Sequence, residues 1–102
     1  MEIIKGNESN FEDVIKSGIS LVDFYADWCG PCQALAPILE DIAKDADFNI
    51  VKINVDEAPN LAAQFQVVSI PTMIIFKDGE MIEKTVGVKQ KDEILTWVNS
   101  KK

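Results

Sequence analysis

The chain has 102 residues, 47% hydrophobic and 26% charged, with 17 acids against 10 bases and a net charge of −7. Its length suits one compact domain over residues 1–102. The acidic balance argues against a nucleic-acid surface, and the lack of any histidine removes Cys–His nucleophiles and His-ligated metal sites.

Met1-Glu2-Ile3-Ile4-Lys5 lacks the basic stretch, apolar core and cleavage site of a signal peptide. No apolar run approaches the ~20 residues of a membrane helix. A cytoplasmic protein is expected. Ile3 and Ile4 predict a short first strand. Ser9 followed by Glu12 has the form of a capping box, and Phe11, Val14 and Ile15 keep helical spacing before Gly18. A first helix is predicted near residues 9–17.

Ile19 to Ala26 is apolar on both faces except at Asp23, as in a buried parallel strand. A helix should follow to about Asp45, with Leu35, Ile38, Leu39 and Ile42 on one face and a kink at Pro37. Phe48 to Val55 reads as another buried strand, interrupted by Lys52. Pro59 suits the first turn of a short helix carrying Leu61, Ala62 and Phe65. Thr72 to Phe76 is a strand, Asp78-Gly79 a hairpin turn, and Glu80 to Val88 the returning partner. A last helix aligns Ile94, Leu95, Trp97 and Val98. The order β-α-β-α-β-α-β-β-α predicts an α/β fold, a mixed sheet sandwiched by helices.

The only two cysteines are Cys29 and Cys32, in Trp28-Cys29-Gly30-Pro31-Cys32 after the second strand. At the start of a helix they are i, i+3 neighbours, within reach of a disulfide. A purely structural staple closing so short a loop would contribute only about 2 kcal/mol before strain. A redox pair is the better reading of this spacing in a βαβ context. The unpaired N–H groups and dipole of a helix start favour an anion. Cys29, the more N-terminal, should therefore be the nucleophile, and Cys32 the resolving thiol. Zinc would need ligands beyond these two cysteines, so no metal is expected.

Asp23 is the candidate for moving a proton at Cys32. Burial among apolar residues should raise its pKa, although it could equally cap a backbone group. Lys52 could pair with Asp23 if their strands are neighbours, or could extend to water. Asp27 is expected to be exposed, where a nearby charge would oppose the thiolate.

These residues resemble the thioredoxin family. The likeness rests on Val22 to Cys32, Pro37, Lys52-Ile53-Asn54-Val55-Asp56, Ile70-Pro71-Thr72, Phe76-Lys77-Asp78-Gly79 and Gly87, in family order along the whole chain. The resemblance implies the thioredoxin fold, a central five-stranded mixed sheet with two helices on each face. It implies a cis Ile70-Pro71 bond beside the dithiol, leaving Ile70 backbone groups to pair with an extended substrate. It implies a flat apolar docking surface of Trp28, Gly30, Pro31, Ile70, Gly87 and Val88. Trp28 and Val88 could instead be ordinary packing, and Gly87 a bulge. It favours proton transfer between Asp23 and Cys32, modulated by Lys52. It links Gly30-Pro31 to reducing members.

The implied protein is a monomeric protein-disulfide reductase without a bound cofactor beyond its Cys29–Cys32 disulfide. Its partners would be a thioredoxin reductase and disulfide-containing proteins, not nucleic acid or membrane. The competing readings are a thioredoxin-fold oxidase or isomerase, and a non-catalytic binding subunit. Tyr25, Gln33 and Ser69 depart from the commonest family pattern and bear on partner preference and redox poise.

Overall fold

The computed structural model describes residues 2–102; Met1 lies outside them. The elements are β1 (Ile4–Gly6), α1 (Phe11–Ile15), β2 (Ile19–Tyr25), α2 (Gly30–Ala43), β3 (Asn49–Asn54), α3 (Pro59–Gln64), β4 (Thr72–Lys77), β5 (Glu80–Val86) and α4 (Lys91–Asn99). They follow the predicted order. The sheet runs β1-β3-β2-β4-β5. β1, β3 and β2 are parallel, and β4 and β5 are antiparallel additions. Helical crossovers make the parallel half and a tight turn makes the hairpin, as connection lengths require.

The two faces of the sheet hold separate cores. Leu21, Ile50, Met73 and Ile75 pack under α2 and α4, against Leu35, Leu39, Ile42, Ile94 and Val98. Val22, Phe24, Val51, Ile53, Ile74 and Phe76 pack on the other face, against α1 and α3. Phe65 and Phe76 are edge-to-face at 5.2 Å, and Phe11 meets Phe76 at 5.4 Å. Such pairs contribute about 0.5–1.5 kcal/mol beyond their burial. Alternation along each strand explains why both β2 and β3 read as continuous apolar runs: each is covered on both faces.

The predicted capping box does not form. Asn10 is the N-cap residue of α1 and makes no side-chain cap bond. The Asn7 side chain instead accepts from the backbone N–H groups of Ser9 and Asn10, both at 2.9 Å, and from the Ser9 hydroxyl. Asparagine can fold its own chain in this way, and here that local turn outcompetes the serine cap. The helix consequently starts at Phe11 and spans one turn rather than residues 9–17. α2 remains a single helix through Pro37, which is exposed, and ends at Ala43, two residues before Asp45.

The hairpin turn has φ of 51° at Asp78 and 88° at Gly79. Two left-handed residues match the twist of the strands they join, and Asp-Gly tolerates both. The Asp78 carboxylate accepts the Gly18 N–H at 2.7 Å, fastening the hairpin to the turn before β2.

Candidate active site

β2 delivers the chain to the start of α2 at the C-terminal end of the parallel strands. Cys29 is the N-cap residue, with extended backbone (φ −90°, ψ 111°). Its Sγ accepts a hydrogen bond from the Cys32 N–H at 3.1 Å. This uses one of the donors that a helix start leaves unpaired. Pro31 suits the first turn, where its missing N–H costs nothing. Cys29 and Cys32 form a disulfide, with Cα atoms 5.2 Å apart.

Both cysteines are 4% exposed, so exposure does not tell them apart. Their surroundings do. The Cys29 Sγ lies 3.8 Å from the Ile70 carbonyl oxygen, on the side of the cis Ile70-Pro71 bond. Cys32 instead lines a cavity of about 150 Å³ with Tyr25, Ala26, Asp27, Gln33, Ala36 and Lys52.

Asp23 lies on the same face of β2 as Leu21, the face covered by α2. It is 1% exposed, and neither carboxylate oxygen has a hydrogen-bond partner among the described residues. The backbone-capping alternative therefore does not hold. Burial raises its pKa from an ordinary 3.8 to about 7, against a smaller downward pull from Lys52. Lys52 is its register neighbour on β3. The two do not form an ion pair within 4 Å among the described residues. The Lys52 Nζ lies instead 4.4 Å from the centre of the Tyr25 ring. Asp27 is exposed.

The surface around the disulfide is apolar. Trp28 is 71% exposed, and its indole N–H donates to the Asp56 carboxylate at 2.8 Å. Gly30 and Pro31 are exposed, Ile70 is half-buried, and Pro71 is buried. Gly87 has φ of 98°, and its N–H donates to the Pro71 carbonyl at 2.8 Å. It follows β5 rather than bulging it; the register irregularity falls between Ile75 and Phe76. Val88 is half-buried and packs partly on the α2/α4 core.

Two neighbours of the site were not singled out from the sequence. Val68 is 94% exposed, two residues before Ile70. The Val67-Val68 pair was the only signal, and it also fits a buried loop anchor. Asp56 belongs to a quoted motif, but its bond to Trp28 spans 28 positions and has no sequence signature. No group of three or more acidic or cysteine side chains among the described residues is arranged to hold a metal ion.

A CxxC disulfide at a helix start, beside a cis-proline and with a buried acid on the strand that leads into it, defines a thiol–disulfide oxidoreductase. The family model described as Thioredoxin matches residues 2–100. The chain is 54% identical over 96 residues to a thioredoxin from Staphylococcus saprophyticus and 52% identical to one from Staphylococcus haemolyticus. Each match covers 92% of both chains. A mutant thioredoxin from Halobacterium salinarum superposes with a TM-score of 0.92 at 39% identity, covering 97% of this chain and 89% of that one. The chain belongs to the thioredoxin family. It has the thioredoxin fold and uses its own cysteine disulfide as the redox centre.

Proposed function

We propose that this chain is a protein-disulfide reductase in which Cys29 attacks and Cys32 resolves. The observation that carries the assignment is the Cys32 N–H bonded to the Cys29 sulfur at 3.1 Å. It supports a thiolate at Cys29, and it leaves Cys32 on the side of the cavity and Asp23.

In the reduced protein, the Cys29 thiolate attacks one sulfur of a substrate disulfide. That S–S bond breaks, a mixed disulfide forms, and the departing thiolate takes a proton. Cys32 then gives its proton to the Asp23 carboxylate and attacks the Cys29 sulfur. The second substrate thiolate leaves and is protonated. Two electrons have passed to the substrate, and the Cys29–Cys32 disulfide remains. A thioredoxin reductase returns the electrons. A carboxyl with a pKa of about 7 can both accept and release this proton at neutral pH. Lys52 adjusts its ionisation, and Gly30-Pro31 tunes the redox balance.

Substrate chain is held in an extended form along Ile70, next to the cis Pro71, with Trp28, Gly87 and Val88 around it. The protein works as a single-domain monomer over residues 1–102, in the cytoplasm. Among the described residues, no helix is long and apolar enough to cross a membrane.

The test is capture. Cys32→Ser should accumulate mixed disulfides with disulfide-containing proteins, because the second attack is lost. Cys29→Ser should accumulate none. Capture by Cys29→Ser alone would reverse the assignment. Equilibration in defined glutathione buffers checks the direction of the reaction: a reductase stays oxidised until conditions are strongly reducing.

A further inference from the structure

Lys52 stands between two environments. Asp23 is its register neighbour on one side. Water is on the other, at the open end of the cavity beside Cys32. A lysine in this position ordinarily extends its charge into water. Here the ammonium sits over the Tyr25 ring, 4.4 Å from its centre, within the range of a cation–π contact.

Tyr25 is itself held. It ends β2, two residues beyond Asp23, and its register neighbour on β3 is Asn54. The Tyr25 carbonyl accepts the Val55 N–H at 2.8 Å. The residue thus stands on a paired strand end, and the flexible lysine rests on its ring.

We propose that Tyr25 is a positioning residue whose ring face keeps the Lys52 ammonium at the wall of the cavity beside Cys32, within electrostatic reach of Asp23. The inference deepens the proton-transfer reading of Asp23 and depends on it for its functional meaning.

One further charge shares the cavity, since Asp27 lines it together with Lys52. From β4 the register neighbour of Asp23 is Met73, which is uncharged. From α2 the titratable group is Cys32, which is tied up while the disulfide is closed. Around the phenol, Asp27 and Glu57 oppose Lys5, and Lys5 pairs with Glu57 at 3.5 Å. Lys52 is the charge that acts on Asp23.

The magnitude is capped by linkage. The ring can shift the ionisation of Asp23 by no more than its own hold on the ammonium, so about half a pH unit. The experiment is a carboxyl-carbon NMR titration of Asp23 in the oxidised protein, where neither cysteine titrates. Lys52→Met should move the Asp23 midpoint upward. Tyr25→Leu should move it upward by about half a unit. Tyr25→Phe should keep the wild-type midpoint, because the face carries the charge and the hydroxyl does not. In a Lys52→Met background, Tyr25→Leu should add nothing.

An unmoved midpoint in Tyr25→Leu would overturn the proposal. So would an equal shift with and without Lys52, which would make the ring a barrier to water and not a seat for the ammonium. Tyr25→Thr, a ring-free strand former, serves as a second variant if leucine disturbs folding. The titration reads Asp23 directly. If its midpoint moves while the pH profile of disulfide reduction does not, the positioning role stands and the proton-transfer role of Asp23 falls.

Discussion

Replacing Asp23 with asparagine separates the cost of burying this carboxyl from its chemistry. The folded protein holds the Asp23 proton up to a pH of about 7, whereas an ordinary carboxyl releases it near 3.8. Between these values the native state binds one more proton than the unfolded chain, so stability falls as pH rises. The gap, at 1.36 kcal/mol per pH unit, amounts to about 4 kcal/mol. About 3 kcal/mol of that loss falls between pH 5 and pH 8. Asparagine has nearly the same shape and stays neutral throughout. Asp23→Asn should gain about 3 kcal/mol of stability over the wild type between pH 5 and pH 8. Urea denaturation of the oxidised proteins measures this as a midpoint difference that widens by about 1–3 M from pH 5 to pH 8 with unchanged slope. The other acids titrate in both proteins and cancel in the comparison. Equal stability curves from pH 5 to pH 8 would refute the reasoning, since the buried carboxyl would then carry no penalty.

Trp28→Ala should leave stability within about 0.5 kcal/mol of the wild type, because the side chain is 71% exposed. It should lower kcat/KM for protein disulfides about 10-fold while sparing a small-molecule disulfide, which kinetic comparison of the two substrates would show. Asp56→Ala should reproduce part of that loss by freeing the indole, and an unaffected protein-substrate rate would remove the orienting role of their bond. Gly6→Ala should destabilise the fold by about 1–3 kcal/mol, because the added carbon would collide with Ile53 and come within 2.9 Å of Val51 Cγ1. Urea midpoints measure this cost, and an unchanged value would mean that β1 shifts freely.

The strands and helices were legible because each apolar run matches a position in a layered sheet. β2 and β3 look alike in sequence since both are buried on two faces. What the runs could not convey is that β3 lies between β1 and β2. That order decides whether Asp23 and Lys52 meet, and it is set by crossover packing across the whole domain. The start of α1 was misjudged for a local reason: Asn7, Ser9 and Asn10 can all bind nearby backbone, and only the exit of β1 selects Asn7. The cis Ile70-Pro71 bond came from family likeness. Local sequence favours trans for almost every such bond. The Trp28–Asp56 bond needed the folded loops to be in place.

The two residues that break the apolar pattern of the central strands explain each other only when the sheet is assembled. Alone, a buried aspartate is a defect and a strand lysine is a solvated side chain. In register on neighbouring strands, they bring a buried carboxyl and a cation together, the pair to which we assign proton transfer at Cys32. A direct ion pair would hold the carboxyl ionised and make it a poor proton acceptor at neutral pH. A distant lysine would leave burial unopposed and keep it protonated. The ammonium lies on the Tyr25 ring, and burial outweighs its pull, so the Asp23 pKa stands at about 7. Under the proposed proton transfer, the stability lost on ionisation at Asp23 and the readiness of Cys32 to resolve a mixed disulfide trace to one geometry. A variant that relieves the first should slow the second near neutral pH.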